Sequence, residues 1–266
     1  MIVSDDLCLK KPPSPGRTNA PASSRRVFAF DFDGVLCDSL DEGLLISWNA
    51  HVGAPVTAFA EPGLAGVPLE MRERFRSCRP FTQHLGHWLV PFVVDSTPTS
   101  HAEFVDCYDA LAGETVSHFT AAAADYRAGV RRAYPELWLA HHRIQPRVTK
   151  MIDDAYIVTA RDTDSVSQIL EAHGTGLDHS RIFGSRRTKQ DALKAICVRE
   201  AVAPAAVTLI DDSIENCLAA DAAGYSAWWA EWGYTSVADA ALATARGITR
   251  VSIDGLLSRR VGSKAR

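Results

Sequence analysis

Four consecutive apolar residues, Val27-Phe28-Ala29-Phe30, run straight into Asp31-Phe32-Asp33-Gly34. An unbroken apolar run of this kind marks a strand covered on both faces, as strands are inside a parallel sheet. Such a strand needs neighbours on both edges and packed layers above and below. In an extended chain, residues two apart point the same way. Asp31 and Asp33 are therefore expected side by side where the strand ends, with Phe32 turned into the core. Gly34 lets the chain leave in a conformation that a larger residue resists. Two carboxylates held together at the end of a buried strand repel each other, which raises a pKa or demands a cation. An all-oxygen ligand set suits magnesium. A strand followed by an acidic turn is the plainer reading of a lone D-x-D, so the rest of the chain must decide.

The rest of the chain falls into three textures. Residues 1–25 carry Pro12, Pro13, Pro15, Gly16 and Pro21 among several serines and read as a flexible leader. From 41 to 149 the pattern is mainly helical. Leu40, Leu44, Leu45 and Trp48 fall at helical spacing, and further helices are expected over 68–76, 101–111 and 114–134. The apolar stretch 90–95 reads as a short strand, kept off the sheet centre by Pro91. From 150 onward, strands (155–159, 181–183, 206–210, 226–229) alternate with helices (164–173, 189–201, 214–223, 237–245). Repeated strand–helix units imply an α/β fold with a parallel sheet and right-handed crossovers. Ligands then gather beyond the carboxyl ends of the strands. The expected organisation is a core of residues 26–40 and 150–266, with residues 41–149 as a helical insert.

Charge and cysteine use exclude several classes. A net charge of −4 gives no global basic surface for nucleic acid. No apolar segment approaches bilayer length. The six cysteines are scattered without a C-x-x-C pair, and no secretory pattern follows Asp5 and Asp6. Both features point to reduced thiols and a cytoplasmic protein. There is no G-x-G-x-x-G and no P-loop to suggest a nucleotide cofactor.

Three of the expected strands end in reactive side chains. The first ends in Asp31 and Asp33, the next in Thr159 within IVTAR, and a later one in Asp211 and Asp212 within TLIDDS. Lys189 opens a helix. Taken singly, Thr159 reads first as an N-cap and Lys189 as a solvated first-turn residue, and Asp211 and Asp212 read as helix-capping acids. On one rim, in this order, they supply a nucleophile, an acid, a phosphate-binding hydroxyl, a counter-charge and metal ligands.

This combination resembles the haloacid dehalogenase-like hydrolase superfamily. Asp31-Phe32-Asp33-Gly34-Val35 looks like its first motif, Thr159 its second, Lys189 its third, and Asp211-Asp212-Ser213 with Asn216 its fourth. The position of the helical insert is similar to the type I cap of the phosphatase branch, the phosphoglycolate phosphatase-like proteins among them. The resemblance implies a Rossmann-like core and a Mg2+-dependent phosphatase. Asp31 would be the nucleophile and Asp33 the general acid and base. Thr159 and Lys189 would hold and neutralise the phosphoryl group, and the metal would sit on Asp31, Asp33 (through its carbonyl), Asp212 and Asp211. Gly34, Ala160 and Arg161, with Arg76 and Arg79 from the insert, are the expected substrate contacts. The partner implied is a small phosphorylated metabolite. A phosphomutase of the same superfamily and a non-catalytic binding protein on the same fold are the alternatives, and the oligomeric state stays open.

Overall fold

Residues 25–264 are described by the computed structural model, so all but the last residue of the expected leader lies outside the described residues. Strand β1 (Val27–Phe30) is buried along its whole length. Val27 and Ala29 enter one apolar layer, Phe28 and Phe30 the other. That alternation is what an apolar strand between two covering layers requires.

Five more strands join it: β4 (Tyr156–Val158), β5 (Ile182–Phe183), β6 (Val207–Asp211), β7 (Ser226–Ala230) and β8 (Thr249–Val251). The order across the sheet is β5-β4-β1-β6-β7-β8, and every pairing is parallel. β1 therefore lies between β4 and β6, and the chain ends leaving these three strands meet on one rim. Strand β8 and the helix after it, α12 (Ile253–Lys264), carried no sequence expectation. Among the described residues no helix is long and apolar enough to cross a membrane.

The excursion between β1 and β4 starts and returns through a two-residue antiparallel pair, β2 (Cys37–Asp38) with β3 (Arg143–Ile144). Between them lie α1 (Leu40–His51), α2 (Leu69–Cys78), α3 (Val90–Val93), α4 (His101–Asp109), α5 (Gly113–Ala133) and α6 (Pro135–Ala140). The strand expected over 90–95 is instead the helical turn α3. Pro91 sits in its first turn, where a missing N–H costs nothing. The apolar face of α1 (Leu44, Leu45, Ile46) packs in the same cluster as Phe28 and Phe30, together with Phe59, Phe75, Val130 and Trp138. The short helix α7 (Pro146–Thr149) leads back to the sheet.

The helices that follow β4, β5, β6 and β7 have their own caps. Asp162 caps α8 (Thr163–Ala172), Thr188 caps α9 (Lys189–Glu200), and Ser213 caps α10 (Ile214–Ala222), each accepting from a first-turn N–H. Ser236 and Asp239 form a capping box on α11 (Val237–Ala245). Thr159, Asp211 and Asp212 are thus relieved of the capping roles that were their plainer reading.

Candidate active site

Asp31 directly follows β1, and its N–H donates to the Ile210 carbonyl of β6 at 2.8 Å, which carries the chain one residue past the strand before it turns. Phe32 is fully buried, as its parity requires. The turn closes through Gly34 N–H to the Cys37 carbonyl (2.7 Å) and Cys37 N–H to the Phe32 carbonyl (2.9 Å). Gly34 has φ +89°, and a Cβ there would collide with the Asp212 carboxylate. Its part is conformational, since its N–H is already bonded.

One oxygen each from Asp31, Asp211 and Asp212 lies within 4.8 Å of the others. All three residues are buried. Lys189, projecting from the first position of α9, places Nζ 3.0 Å from Asp31 Oδ1 and 2.5 Å from Asp211 Oδ2. One ammonium against three carboxylates leaves the cluster short of positive charge. Burial pushes Asp31 up to about 7; Lys189 opposes this, while Asp211 and Asp33 add to it. Burial, reinforced by Asp31 and Asp211, also drives Asp212 well above the usual carboxylate range. Burial works against the charge of Lys189, but Asp211 and Asp31 outweigh it and hold the ammonium protonated. An all-oxygen, charge-deficient group of this kind suits a hard divalent cation.

The outer contacts fix these ligands in place. Asp211 Oδ1 accepts from Ser213 N–H at 2.9 Å and from the Asn216 amide at 3.2 Å. Asp212 Oδ2 accepts from Tyr234 N–H at 2.6 Å, and its carbonyl accepts from Trp229 Nε1 at 2.7 Å. Trp232 Nε1 donates to the Val35 carbonyl at 3.0 Å, tying the loop after β7 to the turn after β1.

On the other side of Asp31, Thr159 is buried at the end of β4, and its hydroxyl accepts from Arg161 N–H at 3.1 Å. Among the described residues the hydroxyl proton has no acceptor. A cavity of about 450 Å³ opens above these strand ends, lined from the sheet side by Asp31, Asp33, Thr159, Ala160, Lys189 and Asp212. From the helical excursion Arg79, Thr82, Gln83 and His84 close it. Arg79 lies over the Tyr234 ring, 4.1 Å from its centroid, and donates to Thr82 Oγ1 at 2.9 Å.

Asp31, Asp33, Thr159, Ala160, Lys189, Asp212 and Arg79 therefore converge on one cavity, with Asp211 behind Lys189. Arg76 does not join them. Helical rotation turns Phe75 inward and leaves Arg76 exposed, where it lines a separate groove with Glu70, Glu73 and Arg74. Lys194, a second lysine of α9, faces an outer groove with Arg186 and Arg199. The Asp33 carboxylate stands apart from the three-carboxylate cluster, held by Arg161 at 3.0–3.2 Å and by Ser39 Oγ at 2.5 Å. Burial opposes its ionisation, but Arg161 outweighs burial and lowers its pKa. Arg161 reaches the site, yet its guanidinium is committed to Asp33 and Glu42. Glu42 and Tyr234 drew no sequence expectation. Glu42 reads as an ordinary acid in the first turn of a helix, and Tyr234 lies in a loop with no motif around it.

No family sequence model matches the chain, and no curated protein matches it by sequence. Solved structures do. A predicted phosphatase from Clostridium acetobutylicum superposes with TM-score 0.57 at 16% identity, covering 90% of this chain and 99% of its own. A predicted phosphoglycolate phosphatase from Haemophilus somnus gives 0.56 at 18% identity, covering 90% and 99%. A haloacid dehalogenase-like family hydrolase from Streptococcus pneumoniae gives 0.55 at 16% identity, covering 89% and 98%. Superposition over nearly the whole of each solved chain, on a sheet whose central strands end in the acids described above, establishes that this protein has the haloacid dehalogenase-like hydrolase fold.

Proposed function

We propose that the protein is a Mg2+-dependent phosphatase that hydrolyses a small phosphate monoester through an aspartyl-phosphate. One observation carries this reading: Lys189 bridges Asp31 and Asp211 while Asp212 completes a buried carboxylate cluster at the strand ends. A carboxylate is a weak nucleophile, and a phosphate dianion is repelled by it, so positive charge must be in place before the two meet. Asp31, Asp211 and Asp212, with the Asp33 carbonyl, would hold Mg2+. The bound ion would supply charge against the phosphoryl oxygens.

The chain's own residues do the rest. Asp31 attacks phosphorus, and Lys189 balances the charge on the equatorial oxygens. Thr159 donates its hydroxyl proton to a phosphoryl oxygen, and Ala160 lines the same wall. Asp33 in its protonated form gives its proton to the departing alkoxide, and as the carboxylate that Arg161 favours it then takes a proton from the water that cleaves the acyl phosphate. Arg79, with Gln83 and His84, meets the leaving group where the helical segment (residues 41–149), acting as a cap over the core (26–40 and 150–266), faces the cavity. A cavity of about 450 Å³ suits a small metabolite. We read the protein as cytoplasmic, with neither nucleic acid nor membrane as partner.

The test is phosphate release over a panel of phosphorylated metabolites, with Mg2+ and with chelator, for the parent and for Asp31→Asn. The expected result is Mg2+-dependent release that Asp31→Asn abolishes. Release by Asp31→Asn near the parent rate would refute the reading. Steady release without a bisphosphorylated activator separates hydrolysis from a mutase.

A further inference from the structure

Arg161 follows the strand-end threonine by two residues, a place from which a cation can reach substrate. Its contacts give it other work. Its side chain is 2% exposed. Nε lies 3.1 and 3.2 Å from the two Asp33 oxygens. Nη2 lies 3.0 Å from Asp33 Oδ1 and 3.3 Å from Glu42 Oε2. Nη1 lies 3.4 Å from His142 Nε2. His142 Nδ1 is 2.8 Å from the Trp138 carbonyl, so Nδ1 carries the ring proton and Nε2 accepts from Arg161. A guanidinium offers five N–H donors in a fixed plane. These contacts leave only one of them without an acceptor.

Glu42 is committed just as fully. Its side chain is 0% exposed. Oε1 accepts from Arg127 Nε at 2.8 Å and from Trp138 Nε1 at 3.1 Å, and Oε2 accepts from Arg127 Nη2 at 3.3 Å as well as from Arg161. The series Arg127, Glu42, Arg161, Asp33 alternates in sign and sums to zero, so it offers a substrate no spare charge. Buried ionic chains of this kind add little stability over a well-packed apolar core, and their attested use is to fix one arrangement. What this one fixes is a carboxylate lining the cavity. The chain begins on α5, passes through α1, and ends on Asp33 from the turn after β4.

We propose that Arg161 is a positioning residue that sets the direction of the Asp33 carboxylate toward the leaving-group side of Asp31, with Glu42 holding the plane of the Arg161 guanidinium. The proposal rests on the phosphatase reading for the role of Asp33, but its geometry does not. Substrate meets Asp33, and Arg161 acts through it.

Leaving-group chemistry tests this. An alkyl phosphate leaves as a strongly basic alkoxide and needs the acid, whereas p-nitrophenolate leaves almost without it. For Arg161→Met, kcat/KM on glycerol 3-phosphate should fall about 100-fold or more. The loss should lie in kcat, with KM changed less than about threefold. On p-nitrophenyl phosphate the fall in kcat/KM should stay within about fivefold. Asp33→Asn should show the same asymmetry, and the double variant should be no worse than Asp33→Asn alone. Arg161→Lys, which keeps charge but not the fork, should recover part of the loss. Glu42→Gln should show the same signature at about tenfold and serves if Arg161→Met does not fold. An equal loss on both phosphates, or a rise in KM at unchanged kcat, makes Arg161 a substrate ligand and overturns the proposal. A crystal structure of the Arg161→Met variant gives a readout independent of turnover. The Asp33 side chain should leave its present orientation while Asp31 and Lys189 stay paired, and an unmoved Asp33 overturns the proposal. A parent that releases phosphate from neither compound nor from any member of the metabolite panel overturns the phosphatase reading, and the crystallographic comparison still decides the positioning role.

Discussion

The Gly34 backbone lies directly against the Asp212 carboxylate, so that a single methyl on its Cα would overlap that side chain. With φ +89°, Gly34 also occupies a conformation that other residues adopt only under strain. Gly34→Ala should therefore cost about 1–3 kcal/mol from the backbone alone, with a further loss from displacing Asp212. Gly247, at φ +70°, has open space where its Cβ would be, so Gly247→Ala isolates the backbone cost. Thermal melts should place Gly34→Ala below Gly247→Ala, and only Gly34→Ala should lose phosphate release.

The raised pKa of Asp31 has a definite sign. Its folded value near 7 lies above the ordinary carboxylate value, so the fold binds a proton that the unfolded chain releases. Without a cation, the contribution of Asp31 to stability is full below about pH 4 and is lost as pH rises to about 7. Burial drives this, Lys189 opposes it, and Asp211 and Asp33 add to it. Asp31→Asn removes the charge, so in chelator at pH 8 it should melt at or above the parent while phosphate release falls about a thousandfold or more. A large drop in its melting temperature would show that Asp31 holds the fold together.

The same charge deficit makes cation binding pH-dependent. At pH 5.5 a cation must displace the proton that Asp31 holds, and at pH 8, above the Asp31 value of about 7, it largely need not. Added Mg2+ should raise the melting temperature more at pH 8. At a hundredfold excess over its dissociation constant, the ion should stabilise by about 2.7 kcal/mol. Asp212→Asn should shrink that rise, and an unchanged rise would place the ion elsewhere.

Arg76 and Arg79 lie three residues apart on the same excursion yet should differ in kinetics. Arg79→Ala should raise KM about tenfold for a substrate with an anionic or polar leaving group. Arg76→Ala, outside the cavity, should leave kcat and KM within about twofold of the parent. Equal effects would mean that the cavity is not where the leaving group sits.

Acid should destabilise the fold through two histidines. Burial lowers His87 to about 3, helped by His84 and His101. Burial also lowers His142 to about 4, with Arg161 adding to it and Glu42 and Asp33 opposing it. Both pKa values lie below the unfolded value, so unfolding takes up protons between about pH 6.5 and 4, and stability falls as pH drops through that window. Where both titrate, the slope approaches about 2.7 kcal/mol per pH unit. Denaturant melts across that range check it, and His142→Gln should flatten the dependence.

The sheet and the strand-end acids were legible because both rest on local pattern. An apolar run stopped by D-x-D, and a second stopped by Asp211-Asp212, fix direction and endpoint without knowledge of the partner strands. Lys189 was legible as the first residue of a helix facing the rim. The caps Asp162, Thr188 and Ser213 then removed the plainer readings of their neighbours. Glu42 was not legible. In LDEGLL it looks like any first-turn acid, and its burial depends on Arg127, Trp138 and Arg161 far along the chain. Arg161 was assigned to substrate for the same reason: sequence places a cation at the rim without showing its acceptors. Strand β8 escaped because three residues, with Arg250 in the middle, carry no apolar run.

The short ladder between Cys37–Asp38 and Arg143–Ile144 joins the two ends of the helical excursion at a single point. From the viewpoint of the sheet, everything between is one closed detour, and the entropy of closing a detour grows only logarithmically with its length. The detour can therefore lengthen, shorten or be exchanged at little cost in closure entropy, while the strands that hold the acids keep their register.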